Sequence, residues 1–431
     1  MPLRYLTAGE SHGPALVGII DGLPAGVPVD VDALTAELGR RRLGYGRSPR
    51  MEFETDRLEI LGGVRYGRTL GSPVGLVIHN TEWPKWTQAM AIQRPSDPAG
   101  VQQTGRGVPL TRPRPGHADL VGMQKYDFDD ARDVLERASA RETATRVALG
   151  WFAKQLLAQV GVTVLSHVIR IAEVTAAGEG LIPGPGDVQR IDDDPMRCLD
   201  PETSAAMQAR VDQAREERDT LGGVIEVVVH GLPPGLGSHV HWDRKLDARL
   251  AAALMSIQAF KGVGIGDGFD SAAVPGSVAH DEIMPTDDLV DGVDSHTSFT
   301  RKTHRAGGLE GGMTTGEVLR VSAAMKPLSS LMRPLATVDT ATGESATAIT
   351  QRSDVCAVPR AGVVCEAVVA LELTDALLAK TGGDSVAEVR RNLQSYLDGV
   401  NRRRGPSSDG TYQGDPVHGT AYGAPEGGKT G

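Results

Sequence analysis

Ala15–Ile20 is an unbroken apolar run, the pattern of a buried strand, and short branched runs recur at Leu58–Leu61 and Val74–Ile78. Each reads as a strand. Between them, Asp30 can cap a helix over about Val31–Arg42, with Leu34 and Leu38 on one face. Val147, Phe152 and Leu156 share a helical stripe, which predicts one long helix over about Ala131–Val160. Val162–Val174 and Val224–Val229 read as strands, Arg244–Phe260 as a helix carried by Leu246, Leu250, Leu254 and Ile257, and Val318–Ala323 as a further strand. Two helices close the pattern, near Val363–Ala379 and Val386–Val400. Residues 84–118 are rich in proline and lack periodicity, so they read as loop.

One internal echo stands out. A strand, then Gly22-Leu23-Pro24-Ala25-Gly26, then a helix with Leu34 and Leu38, is mirrored by a strand, then Gly231-Leu232-Pro233-Pro234-Gly235, then a helix with Leu246 and Leu250. Two related halves around a shared core would produce this echo. So would coincidence, because Gly-Pro loops before helices are common. From Asn401 the composition turns to Gly, Pro, Ser and Asp, with Val417 the only branched aliphatic residue. Such a segment cannot bury enough apolar surface to offset its ordering entropy. The expected organisation is one catalytic domain over residues 1–400 and a disordered tail over 401–431.

Composition narrows the class. Of 431 residues, 40% are hydrophobic but only 4% aromatic, so the core rests on Val, Leu, Ile and Ala. The 53 glycines and 26 prolines exceed the roughly 7% and 5% of average usage, which predicts much ordered loop. A net charge of -10 argues against a general nucleic-acid binder. Cys198, Cys356 and Cys365 show no CxxC spacing and suit a reducing cytoplasm. The N-terminus lacks the apolar run of a signal peptide, and no stretch approaches the ~18 apolar residues of a membrane span.

Four motifs mimic familiar chemistry. Gly423 through Gly428-Lys429-Thr430 matches a phosphate loop, but the chain leaves no room for the helix that must follow. Gly262–Gly268 has dinucleotide-loop glycines with a helix before them rather than after, and reads as a tight helix-to-strand turn. His239 and His241 lack further ligands at metal spacing, so no metal site is expected. Gly9-Glu10-Ser11-His12-Gly13 fits a nucleophile elbow, which keeps a serine hydrolase built on Ser11 as a rival.

Positive charge is concentrated in three loops of this acidic chain. Gly39–Arg50 carries Arg40, Arg41, Arg42, Arg47 and Arg50; Thr104–His117 carries Arg106, Arg112, Arg114 and His117; Phe299–Arg305 carries Arg301, Lys302, His304 and Arg305. The helix expected at 131–160 adds Arg132, Arg137, Arg141 and Arg146. Separate solvated charges are one reading. Convergence is the other: two like charges ~6 Å apart repel by roughly 3 kcal/mol at an effective dielectric of 20, so a converging set calls for an anion. The planar guanidinium fork suits carboxylate and phosphate. His12 and His117 lie beside these loops and are either structural or able to move a proton near neutrality.

Taken in order, these segments resemble the chorismate synthase family over about residues 5–400. The resemblance rests on Gly9–Gly13, Arg40-Arg41-Arg42-Leu43-Gly44-Tyr45-Gly46-Arg47, Arg112-Pro113-Arg114-Pro115-Gly116-His117-Ala118-Asp119 and Glu136–Thr143. It continues in Ile257–Gly262, Arg305–Gly312, Lys326-Pro327 and Gln351-Arg352-Ser353-Asp354. Two positions depart from the family pattern: His304 stands where Asn is usual, and Leu328 where a small polar residue is common.

The resemblance implies an α+β fold with helices sandwiched between antiparallel β-sheets, assembled as a homotetramer in the cytoplasm. It implies a lyase acting on 5-enolpyruvylshikimate 3-phosphate at the last step of the shikimate pathway to aromatic amino acids. Phosphate leaves in a 1,4-anti elimination that requires reduced FMN. By the same resemblance, His12, His117 and Asp354 are catalytic. Arg137, Ala138, Ser139, Gln258, Ala259, Gly311, Lys326, Pro327, Leu328, Ser329, Ser330 and Arg352 line the flavin site. Arg41, Arg47, Arg50, Arg106 and Arg141 meet the substrate anions. Arg41 and Arg47 meet NADPH instead if the protein reduces its own flavin.

Overall fold

The apolar run Ala15–Ile20 lies in a four-stranded antiparallel sheet. Its members are β1 (Arg4–Ala8), β2 (Ala15–Asp21), β3 (Arg57–Gly62) and β4 (Val74–His79), in the order β1-β2-β4-β3. Leu16 and Ile20 of β2 and Leu76 and Ile78 of β4 are fully buried on one face. The computed structural model describes residues 2–46, 57–103, 105–176, 181–285, 299–349 and 354–402. A second antiparallel sheet contains β5 (Thr163–Ile171), β6 (Gly223–His230), β7 (Phe260–Ile265) and β8 (Leu319–Met325). Its order is β7-β8-β6-β5, with the short strand Val174–Thr175 added beside β5.

The helices are α1 (Val31–Arg40), α2 (Asp119–Tyr126), α3 (Arg132–Ala138), α4 (Thr143–Ala158), α5 (Pro201–Glu216), α6 (Leu246–Met255), α7 (Val358–Thr381) and α8 (Val386–Arg402). As expected, Asp30 caps α1, its carboxylate accepting from the N–H groups of Asp32 and Ala33. α4 packs on β2, α7 packs on β5 and β6, and the two helices pack on each other. They are therefore apolar on nearly all sides, as a helix covered on every face must be. At their contact a Cβ on Gly150 would fall 2.5 Å from Ala367 Cβ, so glycine permits the close approach. This is the expected α+β arrangement of helices between antiparallel sheets.

The internal echo extends to the chain path. In each half the first two strands pair, a helix follows (α1 or α6), and the next two strands give the spatial order first-second-fourth-third. The central helix then follows, α4 in one half and α7 in the other. Gly22 and Gly26, like Gly231 and Gly235, have positive φ (95° and 92°, 76° and 80°), and Leu23 and Leu232 are both buried. Two halves of one design account for this better than chance.

Several boundaries differ from the sequence reading. The single helix over 131–160 is broken at Ser139, whose extended backbone ends α3 and whose hydroxyl accepts from the N–H of Arg141. The helix over 244–260 ends at Met255, and Phe260–Ile265 is strand β7, so the glycine run is not a helix-to-strand turn. Strand β1 and helices α2 and α5 have no counterpart in the sequence reading. Their apolar positions are few: α5 has buried Met207, Val211 and Ala214 among twelve other residues plus Ser204. Helix α8 carries through to Arg402; the rest of the tail, with Gly428-Lys429-Thr430, lies outside the described residues.

Candidate active site

Ser11 and His12 sit in the loop joining β1 to β2, against the C-terminal half of α3. The N–H of Ser11 donates to Glu136 O at 3.0 Å. The Glu136 carboxylate, itself buried, accepts from the His12 N–H at 2.8 Å and lies 2.8 Å from His12 Nδ1. The imidazole stacks on Trp86, with ring centroids 3.9 Å apart and planes inclined by 22°. The nucleophile-elbow reading fails on geometry, because the loop joins two antiparallel strands rather than a strand to a helix. The Ser11 hydroxyl instead accepts from Ser139 at 3.2 Å.

His117 precedes α2, and Asp119 opens it. The fully buried Asp119 carboxylate lies 2.5 Å from His117 Nδ1 and accepts from Arg114 Nε at 2.8 Å. Burial alone would raise the Asp119 pKa, but hydrogen bonds from His117 and Arg114 hold it well below the usual carboxylate range. Arg114 also donates to Ser330 Oγ at 2.9 Å, and Lys326 Nζ donates to Gly116 O. Asp354 is buried and paired with Arg360 on α7.

These groups face one cavity of about 890 Å³ between the two halves. Its wall includes His12, His117 and Asp354 together, the convergence on which the sequence argument depended. Among the described residues, five arginines (Arg41, Arg42, Arg114, Arg141, Arg360) and two lysines (Lys261, Lys326) line it, against the carboxylates of Glu82 and Asp354. Burial, and after it the neighbouring Lys261, lower the Lys326 pKa. Leu135, Ile257, Phe260, Met325 and Val364 give the cavity an apolar side. Gln258 Oε1 is buried in this wall with no hydrogen-bond partner among the described residues, while its amide NH₂ donates to Glu142 at 3.2 Å.

The residues singled out from sequence divide clearly. Ala138, Ser139, Gln258, Ala259, Lys326, Pro327, Leu328, Ser329, Ser330, Arg41 and Arg141 line the cavity. Arg137 does not; it donates to Thr7 O and Gly9 O at 2.9 and 3.1 Å. Gly311 lies in the turn between Leu309–Glu310 and Met313–Thr314, near His239. Arg106 is absent from the wall, and its guanidinium lies 5.4 Å from the ring of Trp86, which is part of it. Arg47, Arg50 and Arg352 lie outside the described residues.

The third basic loop does not converge: Arg301 pairs with Glu310 and Lys302 with Glu282. His304, one of the two departures from the family pattern, is absent from the wall, whereas Leu328, the other, is part of it. His241 pairs with Asp243, and among the described residues no group of three His, Cys, Asp or Glu is placed to hold a metal. Among these residues no helix is long and apolar enough to cross a membrane. Sequence reasoning missed Trp86, Asn80, Glu136, Asp119, Arg360 and Lys261 as parts of the site.

A pocket lined by seven cations and two carboxylate-supported histidines, with one apolar flank, defines an enzyme site for a small polyanion. Comparison with known proteins agrees and is more specific. The family model described as chorismate synthase matches residues 3–378. Chorismate synthase of a Nocardioides species is 63% identical over 397 residues, covering 92% of this chain and 98% of that protein. Chorismate synthase of Streptomyces coelicolor is 60% identical over 402 residues, covering 93% and 99%. A crystal structure of chorismate synthase matches with a TM-score of 0.72 at 36% identity, covering 93% of this chain and 99% of that one. The chain belongs to the chorismate synthase family and is an enzyme.

Proposed function

We propose that the cavity removes phosphate from 5-enolpyruvylshikimate 3-phosphate by 1,4-anti elimination, giving chorismate at the end of the shikimate pathway. The observation that carries this reading is the meeting of His12, His117 and Asp354 in one cation-lined cavity. The substrate has one phosphate and two carboxylates, and the arginines and lysines match that charge. The reaction releases one phosphate and one proton with no net oxidation.

The wall also suits reduced FMN. Gln258 lines this wall, and its buried Oε1, without a partner among the described residues, is an acceptor that a ligand N–H can satisfy. The apolar side accommodates a planar ring, and Lys326, Ser329 and Ser330 can hold a phosphate. About 890 Å³ lies in the upper part of the roughly 300–1,000 Å³ range of ligand pockets, which leaves room for cofactor and substrate together. When bound, reduced FMN would supply the electron density that helps the allylic C–O bond break, which no side chain can supply.

The remaining work falls to the protein. Arg41 and Arg141 hold the substrate anions, and their fixed charge stabilises the departing phosphate. His12 gives a proton to that phosphate. Asp354, anchored by Arg360, faces the cavity to receive the proton from C6. His117, anchored by Asp119, manages the proton of the flavin ring. The homotetramer and the cytoplasmic location belong to this same reading, and sedimentation at working concentration measures the first.

The test is anaerobic phosphate release by the wild type and by His12→Ala, His117→Ala and Asp354→Ala, with chemically reduced FMN supplied. Each substitution should lower kcat by about 10²–10⁴-fold, the usual worth of a general acid or base. Wild-type rates in all three variants would remove the reading.

A further inference from the structure

His12 is held on two sides. Along its edge, the buried Glu136 carboxylate takes the backbone N–H through Oε2 at 2.8 Å and faces Nδ1 through Oε1 at 2.8 Å and Oε2 at 3.0 Å. Across its face lies Trp86, itself backed by the guanidinium groups of Arg106 and Arg132 at 5.4 and 5.6 Å from the indole centroid. The first contact fixes the rotation of the ring, and the second fixes its plane. Among the described residues no hydrogen-bond partner reaches Nε2, and the ring lines the cavity.

We infer that Glu136 is a positioning residue that keeps a hydrogen on His12 Nδ1 whether the ring carries one proton or two, so that Nε2 is the nitrogen that exchanges a proton with the ligand. A carboxylate only accepts, so the nitrogen facing it must carry hydrogen. The kinetic part of this inference rests on the elimination reading; the tautomer does not.

Glutamine at this position makes a sharp test, because it keeps the size and changes only the donor pattern. Its single carbonyl oxygen must face the His12 N–H, since an NH₂ there would set donor against donor. The NH₂ then takes the position nearer to Nδ1, 2.8 Å against 3.0 Å for the oxygen, and turns that nitrogen into an acceptor, which moves the ring proton to Nε2. Nε2–H can still donate a hydrogen bond to a phosphate, so substrate binding survives. A doubly protonated ring, needed to hand over a proton, then opposes the glutamine amide.

The experiment uses full-length protein with ¹⁵N-labelled histidine, and compares wild type, Glu136→Gln, Glu136→Asp and His12→Ala. The His12 resonance is the one lost in His12→Ala. With the ring neutral, the wild type should show the Nδ1–H form, Glu136→Gln the Nε2–H form, and Glu136→Asp the Nδ1–H form. In the anaerobic assay Glu136→Gln should lose at least about 10²-fold in kcat, as expected when a general acid is disabled, with KM within about threefold of wild type. Adding His12→Ala to it should cost nothing beyond His12→Ala alone, since the two groups act as a unit. Glu136→Asp should recover part of the rate.

An Nε2–H ring in the wild type overturns the inference without recourse to any variant. So does an unchanged tautomer in Glu136→Gln, or losses that multiply with those of His12→Ala. A tautomer that switches as described in a protein that eliminates no phosphate would uphold the positioning role and reject the elimination reading.

Discussion

Replacing Glu366 by Gln tests what holds the two halves together around the cavity. Glu366 is completely buried on α7 and accepts from Arg40 Nη1 at 2.7 Å, Arg197 Nη2 at 3.1 Å, Lys154 Nζ at 2.5 Å and Ser166 Oγ at 2.7 Å. Glu37 and Asp192 complete the network: Lys154 donates to Glu37 at 2.6 Å and Arg40 to Asp192 at 2.6 Å. Three cations thus balance three carboxylates, tying α1, α4, α7 and β5 to one point. Burial would raise the Glu366 pKa, but Arg40, Lys154 and Arg197 outweigh it and hold it well below the usual range. The amide leaves one positive charge uncompensated, and removing one member of a buried pair costs about 3–5 kcal/mol.

With roughly 2.1 cal/mol/K of unfolding entropy per residue over roughly 400 residues, Tm should fall by about 4–6 °C. The pH dependence carries a definite sign. A depressed carboxylate stabilises fully above its unfolded value of about 4.3 and loses that contribution as pH falls below it. The gap in Tm between wild type and Glu366→Gln should therefore be full at pH 7 and narrow as pH drops below about 4.3. Scanning calorimetry at several pH values measures both. A Tm within about 1 °C of wild type at pH 7, or a gap that widens in acid, would refute the reasoning.

Arg141→Ala should raise KM for the phosphorylated substrate by about 10- to 100-fold, from a lost charge-assisted contact of about 1.5–3 kcal/mol, with a smaller effect on Tm. Steady-state kinetics reads the first and a melting curve the second. Gly150→Ala places a methyl 2.5 Å from Ala367 Cβ and 2.7 Å from its Cα, so α4 and α7 must separate. Overpacking of this kind costs about 1–3 kcal/mol, which should be visible as a lower urea midpoint with an unchanged slope.

Periodicity made the strands and central helices legible because each buries one face or all faces against a single core. It failed where other forces set the ends. The stripe through Val147, Phe152 and Leu156 says nothing of Ser139, whose hydroxyl stops α3 by capping the next turn. Strand β1 was missed because Arg4, Tyr5, Leu6 and Ala8 are exposed and show no alternation.

In the site, residue type pointed to His12 and His117 and the family resemblance added Asp354, but their partners were hidden. Nothing in the sequence marks Glu136 or Asp119 until the fold brings imidazoles to them. Arg40 and Arg41 show the same limit. Successive side chains at a helix end diverge by about 100°, so Arg40 turns into the buried network while Arg41 faces the cavity. Trp86 sits in a loop without periodicity, where no pattern could assign it to His12.

The central claim is that one cation-lined cavity carries out a phosphate elimination that needs reduced flavin yet consumes none. Anaerobic incubation of the enzyme with 5-enolpyruvylshikimate 3-phosphate and one equivalent of reduced FMN tests this most directly. Chorismate and phosphate should appear in equal amounts over many turnovers, and leaving out the reduced flavin should stop both. Turnover without reduced flavin, or flavin oxidised in step with product, would contradict it.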